Sequence, residues 1–406
     1  MFSHKRKRSR ASSSNSDKLL SSSSSAAANI IASNDDILTQ ILVCLPPKSL
    51  LKFKTVSKHW LSLITDPRFT PKHSSRTISG LIVRCESTRF HAEYEFINLS
   101  PNPSRAPFRT LTFVEYPSGI CILQSCNGLM LCRSFRPLGK QIYYIYNPTR
   151  NQYRVLPGMQ GCNDPSWDSR ITREVKLAFD PSKSTHYKVI CICKCDLPDH
   201  YQVKIYSSKT GLWKPSGSPF AVPDEWQCYT DGFFWNGAIH WVIAQGPGDS
   251  LCFDVEKEKF RHFPMPTFLE DSRYRHFEES GGHLYLMEVI DDSDTLLYDV
   301  YEMERDYSGW FLKYKVDLHP IAAAFPDEMI WGTGNVHPYT ILGIVEEETN
   351  DDSFLVLQIP NKKAIRYNFK DGSFRMVHDF GPLHTRFVDS LDYYDAHKFI
   401  ESFACV

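Results

Sequence analysis

The chain lacks any apolar run approaching the ~20 residues that a membrane-spanning helix needs, which excludes a helical span of the usual kind. Its first thirty residues open with charge and run on into serines, without the apolar h-region of a secretory leader. Twelve cysteines are present, but no two are spaced as C-x-x-C, so paired zinc knuckles are excluded. Scattered thiols in a chain without a leader read as reduced, buried cysteines of a nuclear or cytoplasmic protein. A G-x-S-x-G elbow, a phosphate-cradling Gly-rich loop and an H-E-x-x-H helix are also missing. With them go the commonest hydrolase, nucleotide-binding and metalloprotease signatures.

Net charge is only −1 over 406 residues, but it is unevenly placed. Residues 1–34 hold six Lys or Arg against one Asp, while the rest of the chain holds 40 against 46. A mildly acidic body does not fit nucleic-acid binding, whose footprint is a basic domain. Residues 1–32 combine Lys5, Arg6, Lys7 and Arg8 with serine runs and an alanine patch, a composition expected to stay disordered. The basic tetrad reads as a nuclear localisation signal or, alternatively, as a solvated basic terminus.

From Ser33 to His73 the pattern becomes helical. Ile37, Leu38, Ile41, Leu42 and Leu45 span about 140° of one helical face, behind Asp35 and Asp36 in the first turn. Ser33 or Asn34 supplies a cap, and Pro46-Pro47 ends the helix. Leu50, Leu51 and Phe53 mark a second short helix; Val56, Trp60, Leu63 and Ile64 mark a third. Domains below roughly 40 residues usually need metal, disulfides or a partner. No metal or disulfide set lies here, which leaves a partner.

This segment resembles the F-box. The match is carried by Asp36-Ile37-Leu38, Ile41-Leu42, Leu45-Pro46, Lys48-Ser49-Leu50-Leu51, Val56-Ser57-Lys58, Trp60, and Ile64 through Asp66-Pro67-Arg68-Phe69. It departs from the family where Ser33-Asn34 replace the usual Leu-Pro, which puts the entry turn in doubt. The resemblance implies docking onto a Skp-type adaptor, and through it onto cullin and RING subunits. It assigns that contact to Ile37, Leu38, Ile41, Leu42, Leu45, Pro46, Leu50, Leu51, Val56 and Trp60. Some of these must instead form the small domain's own core, and the sequence does not sort them.

From Ile78 onward the chain reads as many short strands. A repeat is visible: Tyr146, Tyr206, Phe253 and Tyr367 are each followed seven residues later by Tyr153, Trp213, Phe260 and Phe374, with a looser copy from Tyr301 to Trp310. Each copy reads as a hairpin, an aromatic closing one strand and another opening the next. The spacing of about 55 residues suits four-stranded blades of the kelch type. The expected fold class is therefore α+β and multidomain: a three-helix F-box over 33–73, then an all-β, kelch-like propeller of about six blades over 78–406. The first blade is expected as a degenerate one within Ile78 to Glu115. A pair of β-sandwiches is the alternative.

The β region also resembles the F-box-associated domain of plant F-box proteins. Cys126-Asn127-Gly128-Leu129, Tyr146-Asn147-Pro148-Thr149 with Leu156-Pro157, and Leu177-Ala178-Phe179-Asp180 with Tyr187-Lys188-Val189 carry it, most clearly over 120–270.

Other candidate sites have plainer readings. Cys191, Cys193 and Cys195 alternate along a predicted strand at about 6.5–7 Å, too far apart to share one metal ion, and read as core. His240-Trp241 reads as core as well. Asp291-Asp292 and the Glu346–Glu348 run read as solvated turns. No cofactor, metal, nucleic acid or membrane partner is expected. The reading is a non-catalytic target receptor of a Skp–cullin–F-box ubiquitin ligase, in the nucleus or cytoplasm; the alternatives are an F-box scaffold outside the ligase, and a propeller enzyme or carbohydrate binder. Long polar connections offer Trp167, Trp226 and Tyr274 as anchors for an unknown target protein, or as residues folded under their own loops.

Overall fold

The computed structural model describes residues 30–31, 33–45, 47–66, 69, 77–88, 91–100, 106–114, 119–134, 140–158, 167–168, 172–221, 231–243, 250–266, 274–289, 296–326, 339–347, 352–359, 363–381 and 396–406. The chain divides into two compact units, Met1–His73 and Ser74–Val406.

The first unit holds α1 (Asp35–Val43), α2 (Pro47–Phe53) and α3 (Lys58–Thr65). Asn34 caps α1, its side-chain oxygen accepting from the amides of Asp36 and Ile37 at 3.1 and 3.0 Å. Pro47 opens α2, where a missing N–H removes no helical bond. Ser57 sits in extended backbone, and its hydroxyl accepts from the Trp60 amide at 3.1 Å. That cap starts α3 at Lys58, so Val56 lies on the turn before the helix and not on it, as its spacing had suggested. Leu38, Leu42, Leu50, Ile64 and Phe69 form the buried centre, and Trp60 meets Phe53 edge-on at 5.4 Å.

The second unit is a six-bladed β-propeller. Its strands are β1 (Gly80–Thr88), β2 (His91–Asn98), β3 (Ile120–Cys126), β4 (Leu129–Ser134), β5 (Lys140–Gln141), β6 (Tyr143–Asn147), β7 (Gln152–Val155), β8 (Trp167–Asp168), β9 (Thr172–Ala178), β10 (Lys188–Lys194), β11 (His200–Ser207) and β12 (Leu212–Ala221). They continue as β13 (Phe233–Trp235), β14 (Ala238–Trp241), β15 (Ser250–Asp254), β16 (Lys259–Phe263), β17 (Tyr274–Ser280), β18 (His283–Val289), β19 (Leu297–Met303), β20 (Trp310–Asp317), β21 (Thr340–Val345), β22 (Phe354–Ile359), β23 (Lys363–Asn368), β24 (Phe374–Asp379) and β25 (Ala396–Phe399), with α4 (His319–Ala324) after β20.

Five sheets are complete four-stranded antiparallel blades: β3-β4-β6-β7, β9-β10-β11-β12, β13-β14-β15-β16, β17-β18-β19-β20 and β21-β22-β23-β24. Their first strands lie innermost, and β3, β9, β13, β17, β21 and β25 touch one another in ring order. The aromatic repeat is the junction between third and fourth strands. Tyr146 pairs with Tyr153, Tyr206 with Trp213, Phe253 with Phe260, and Tyr367 with Phe374. In the looser copy Trp310 faces Met303, again seven residues before it, rather than Tyr301. The same repeat stitches blades together, because the Trp213 and Trp310 indoles donate to the carbonyls of Pro157 and Pro264 at 2.9 and 2.7 Å.

The first blade differs from the sequence expectation. It is not contained in residues 78–115, because its inner strand is β25, paired with β1 from Gly80↔Phe399 to Val83↔Ala396. Closing the ring with the far end of the chain satisfies an edge that the N-terminal strands alone would leave open. After β25, residues 400–406 lie over the second blade. The Asn147 amide donates to the carbonyls of Ser402 and Ala404 at 3.0 and 2.8 Å, and Arg150 donates to that of Phe403 at 3.1 Å. Gly128 allows this approach: a Cβ there would lie 2.2 Å from that of Ser402.

Blade topology also sorts the connections. First-to-second and third-to-fourth turns share one end of the ring, here the turn face. Second-to-third connections and the crossings that follow a fourth strand share the other, the loop face; the three-stranded first blade has no fourth strand, so β2 leaves at the turn face. The turn face is built from tight hairpins such as Asn127-Gly128 and Asn236-Gly237, both pairs at positive φ.

Candidate functional site

Among the described residues, the first unit exposes a run of large apolar side chains that a stable surface would not keep. Ile37 is 40% exposed, Ile41 45%, Val56 58% and Leu61 42%. Ile37 and Ile41 are one turn apart on α1, while Leu38 and Leu42, about 100° further round, point into the core. The arc of about 140° read from the sequence is thus split between inside and outside. Leu45, Leu51 and Trp60 are half-buried at the margin, Leu50 is fully buried, and Pro46 lies outside the described residues. Elsewhere on α1 the surface is polar, with Asp35, Asp36, Thr39 and Gln40, and His59 reaches Asp35 at 3.1 Å. Leu61 was not recognised from the sequence: it falls outside the Trp60–Ile64 spacing, and residue type alone does not report exposure. These large apolar side chains stand exposed on a small unit whose buried centre has five side chains.

In the second unit the inner strands enclose a cavity of about 70 Å³ along the ring axis, far below the ~300–1,000 Å³ of small-molecule pockets. Its walls carry charges that neutralise each other. Glu278 on β17 bonds Lys398 on β25 and meets His276 Nε2 at 2.9 Å. Lys176 lies between Asp231 and Glu174, 3.4 Å from the latter. Trp241 donates its indole N–H to Glu174 at 2.7 Å. Gln124 joins blades by donating to the Leu177 carbonyl at 3.1 Å and accepting from its amide at 2.7 Å.

Burial pushes the Glu278 carboxyl up, but Lys398 and His276 outweigh it and hold the group down at about 2. A depressed carboxylate stabilises the fold above its unfolded value and loses that contribution as pH falls through the folded one. Stability of the propeller is therefore expected to fall from about pH 4.5 towards pH 2, by on the order of 3 kcal/mol from this group. Glu278→Gln should flatten that part of a denaturation-versus-pH curve; an unchanged acid limb would exclude the ion pair as its source.

Two readings change on the structure, and the core placement of His240 holds. Cys191 and Cys193 share one buried cluster, as alternation requires, but Cys195 lies beyond the strand end and only partly inside. Glu346 is not a solvated turn residue. The bulge between Val300 and Tyr301 aims Lys313 inward, where its ammonium meets Glu302 at 2.7 Å and Glu346 at 3.0 Å, while Tyr285 donates to Glu346 at 2.7 Å. His240 is wholly buried between the Ala238 carbonyl and the Tyr307 hydroxyl, and burial followed by nearby Arg261 pushes its pKa down to about 3.

Trp167 lies in β8 and Tyr274 begins β17, but their side chains, with Trp226, Asp291-Asp292 and the Lys5–Arg8 tetrad, are outside the described residues.

Residues 34–72 match the family model of the F-box domain, and residues 90–288 match that of the F-box associated beta propeller domain. The F-box protein At5g07610 of Arabidopsis thaliana is 36% identical over 378 residues, covering 86% of each chain. The F-box protein At5g49610 of the same plant is 26% identical over 315 residues, covering 72% of this chain and 81% of its own.

Proposed function

This chain belongs to the F-box proteins that carry an F-box associated β-propeller, and from that premise we propose that it is the target-recognition subunit of a Skp–cullin–F-box ubiquitin ligase. The observation that carries the reading is the exposure of the large apolar side chains Ile37, Ile41, Val56 and Leu61 on a small helical unit. A Skp-type adaptor covers them and links the chain to cullin and RING subunits. The propeller holds the target protein at its loop face, where the long connections gather. Catalysis by such a subunit is positional: a target lysine kept near a ubiquitin-charged enzyme reacts at raised effective concentration. None of the charged groups described in the propeller has to act as acid or base, which agrees with their mutual neutralisation. The protein works in the nucleus, the cytoplasm or both.

Co-expression of the full chain with a Skp-type adaptor, followed by size-exclusion chromatography, tests this. A stoichiometric complex that also retains a cullin–RING pair is the expected result. Adaptor binding without cullin recruitment would leave a scaffold outside the ligase. Well-folded chain eluting alone would overturn the assignment.

A further inference from the structure

We propose that the hairpin joining β6 to β7 forms a peptide-binding groove, occupied in cis by residues 402–406, which also takes an extended partner segment running aromatic, small residue, aspartate. The groove lies at the turn face of the second blade, away from the target, and does not depend on the target-receptor reading.

Residues 400–406 form no strand ladder; side chains of the hairpin hold their main chain instead. Asn147, fully buried, donates to the carbonyls of Ser402 and Ala404 at 3.0 and 2.8 Å. Its own oxygen accepts from the Arg150 amide at 3.2 Å, which fixes its direction. Thr149 Oγ1 accepts from the Ser402 amide, Arg150 donates to the Phe403 carbonyl and Arg154 to the Val406 oxygen, each at 3.1 Å. Main-chain recognition of this kind places few demands on the occupant's sequence. The occupant is read mainly at two buried positions, Phe403 and Ala404.

Position 405 is where the resident tail fits least well. Cys405 is exposed, and Arg150 Nη1 lies 2.9 Å from its sulfur. A thiol sulfur is a weak acceptor, whereas a carboxylate at that place takes a charge-assisted bond from the guanidinium. Among the described residues, the Arg150 guanidinium bonds two tail carbonyls and this sulfur, and no carboxylate. A tethered tail competes at an effective concentration on the order of millimolar, so only a better ligand displaces it. The aspartate supplies that advantage.

The test uses the full chain with Phe403→Asp and Ala404→Asp, which place charge at both buried tail positions and eject the tail. Labelled peptides of residues 400–406, unchanged or with Cys405→Asp, are titrated by fluorescence anisotropy. Both should bind, the Cys405→Asp peptide about tenfold more tightly. Arg150→Gln should erase that preference. The wild-type chain should bind either peptide at least about tenfold more weakly, because its own tail competes. In the otherwise wild-type chain, Cys405→Asp should raise the unfolding midpoint, and only while Arg150 is present. No binding by an ejected chain that still unfolds cooperatively, equal affinity of the two peptides, or a midpoint unmoved by Cys405→Asp would each overturn the proposal. So would an ejected chain without a cooperative transition, since the tail would then be part of the propeller's core.

Discussion

Truncation after Asp395 is expected to abolish the cooperative unfolding transition of the β-propeller. β25 is only four residues long, yet it supplies the inner strand of the first blade and touches the inner strands on both sides. Phe399 is completely buried, and Phe403 and Ala404 are nearly so. Loss of one buried phenylalanine side chain costs about 3–5 kcal/mol, against a total stability of roughly 5–15 kcal/mol for a domain. The truncation also removes Lys398 from Glu278, leaving a buried carboxylate with less compensation. It opens the edge of β1 as well, with four residue pairings lost. Intrinsic fluorescence during denaturant unfolding should show a broad, shallow change in place of a sharp one. Phe399→Ala is the milder companion and should shift the midpoint by the equivalent of about 3–5 kcal/mol while keeping the transition sharp. A truncated chain that unfolds at the wild-type midpoint would mean that the ring does not depend on its closing strand.

The second large effect is on adaptor binding. Ile37→Asp with Ile41→Asp places two charges on a surface already in contact with water. The unfolding free energy should therefore change by no more than about 0.5 kcal/mol. If that surface meets an adaptor, each aspartate enters a desolvated interface, and hot-spot losses of about 2 kcal/mol or more per site are expected. Together they predict a loss of at least about a hundredfold in affinity. Leu42→Asp also abolishes binding, but by burying an unpaired charge and unfolding the unit. Hydrogen exchange at α1 separates the cases: protection is kept in the double variant and lost in Leu42→Asp. Wild-type affinity in the double variant would move the interface elsewhere.

Much of this molecule was legible because its patterns are local. Apolar spacing, a cap at Ser33 or Asn34 and the break at Pro46-Pro47 marked three short helices, since caps and breakers act over three or four residues, while the Ser57 cap that starts α3 after Val56 went unread. The repeated aromatics at an offset of seven mark hairpins, since directly opposed residues in an antiparallel pair recur at fixed separation around a turn. Six blades followed from their spacing. The sequence determined those elements by itself. Only the tertiary structure decided that Ile37 and Ile41 face outward while Leu38 and Leu42 face in, because identical chemistry one position apart differs only in what packs against it. Only it placed Lys313 and Glu346 together through a bulge, and supplied the first blade's inner strand from β25, more than three hundred residues after β1. Ring closure is a contact between chain ends, and no spacing rule along a chain reports which ends meet; that depends on which unpaired edge the folded blades leave to be satisfied.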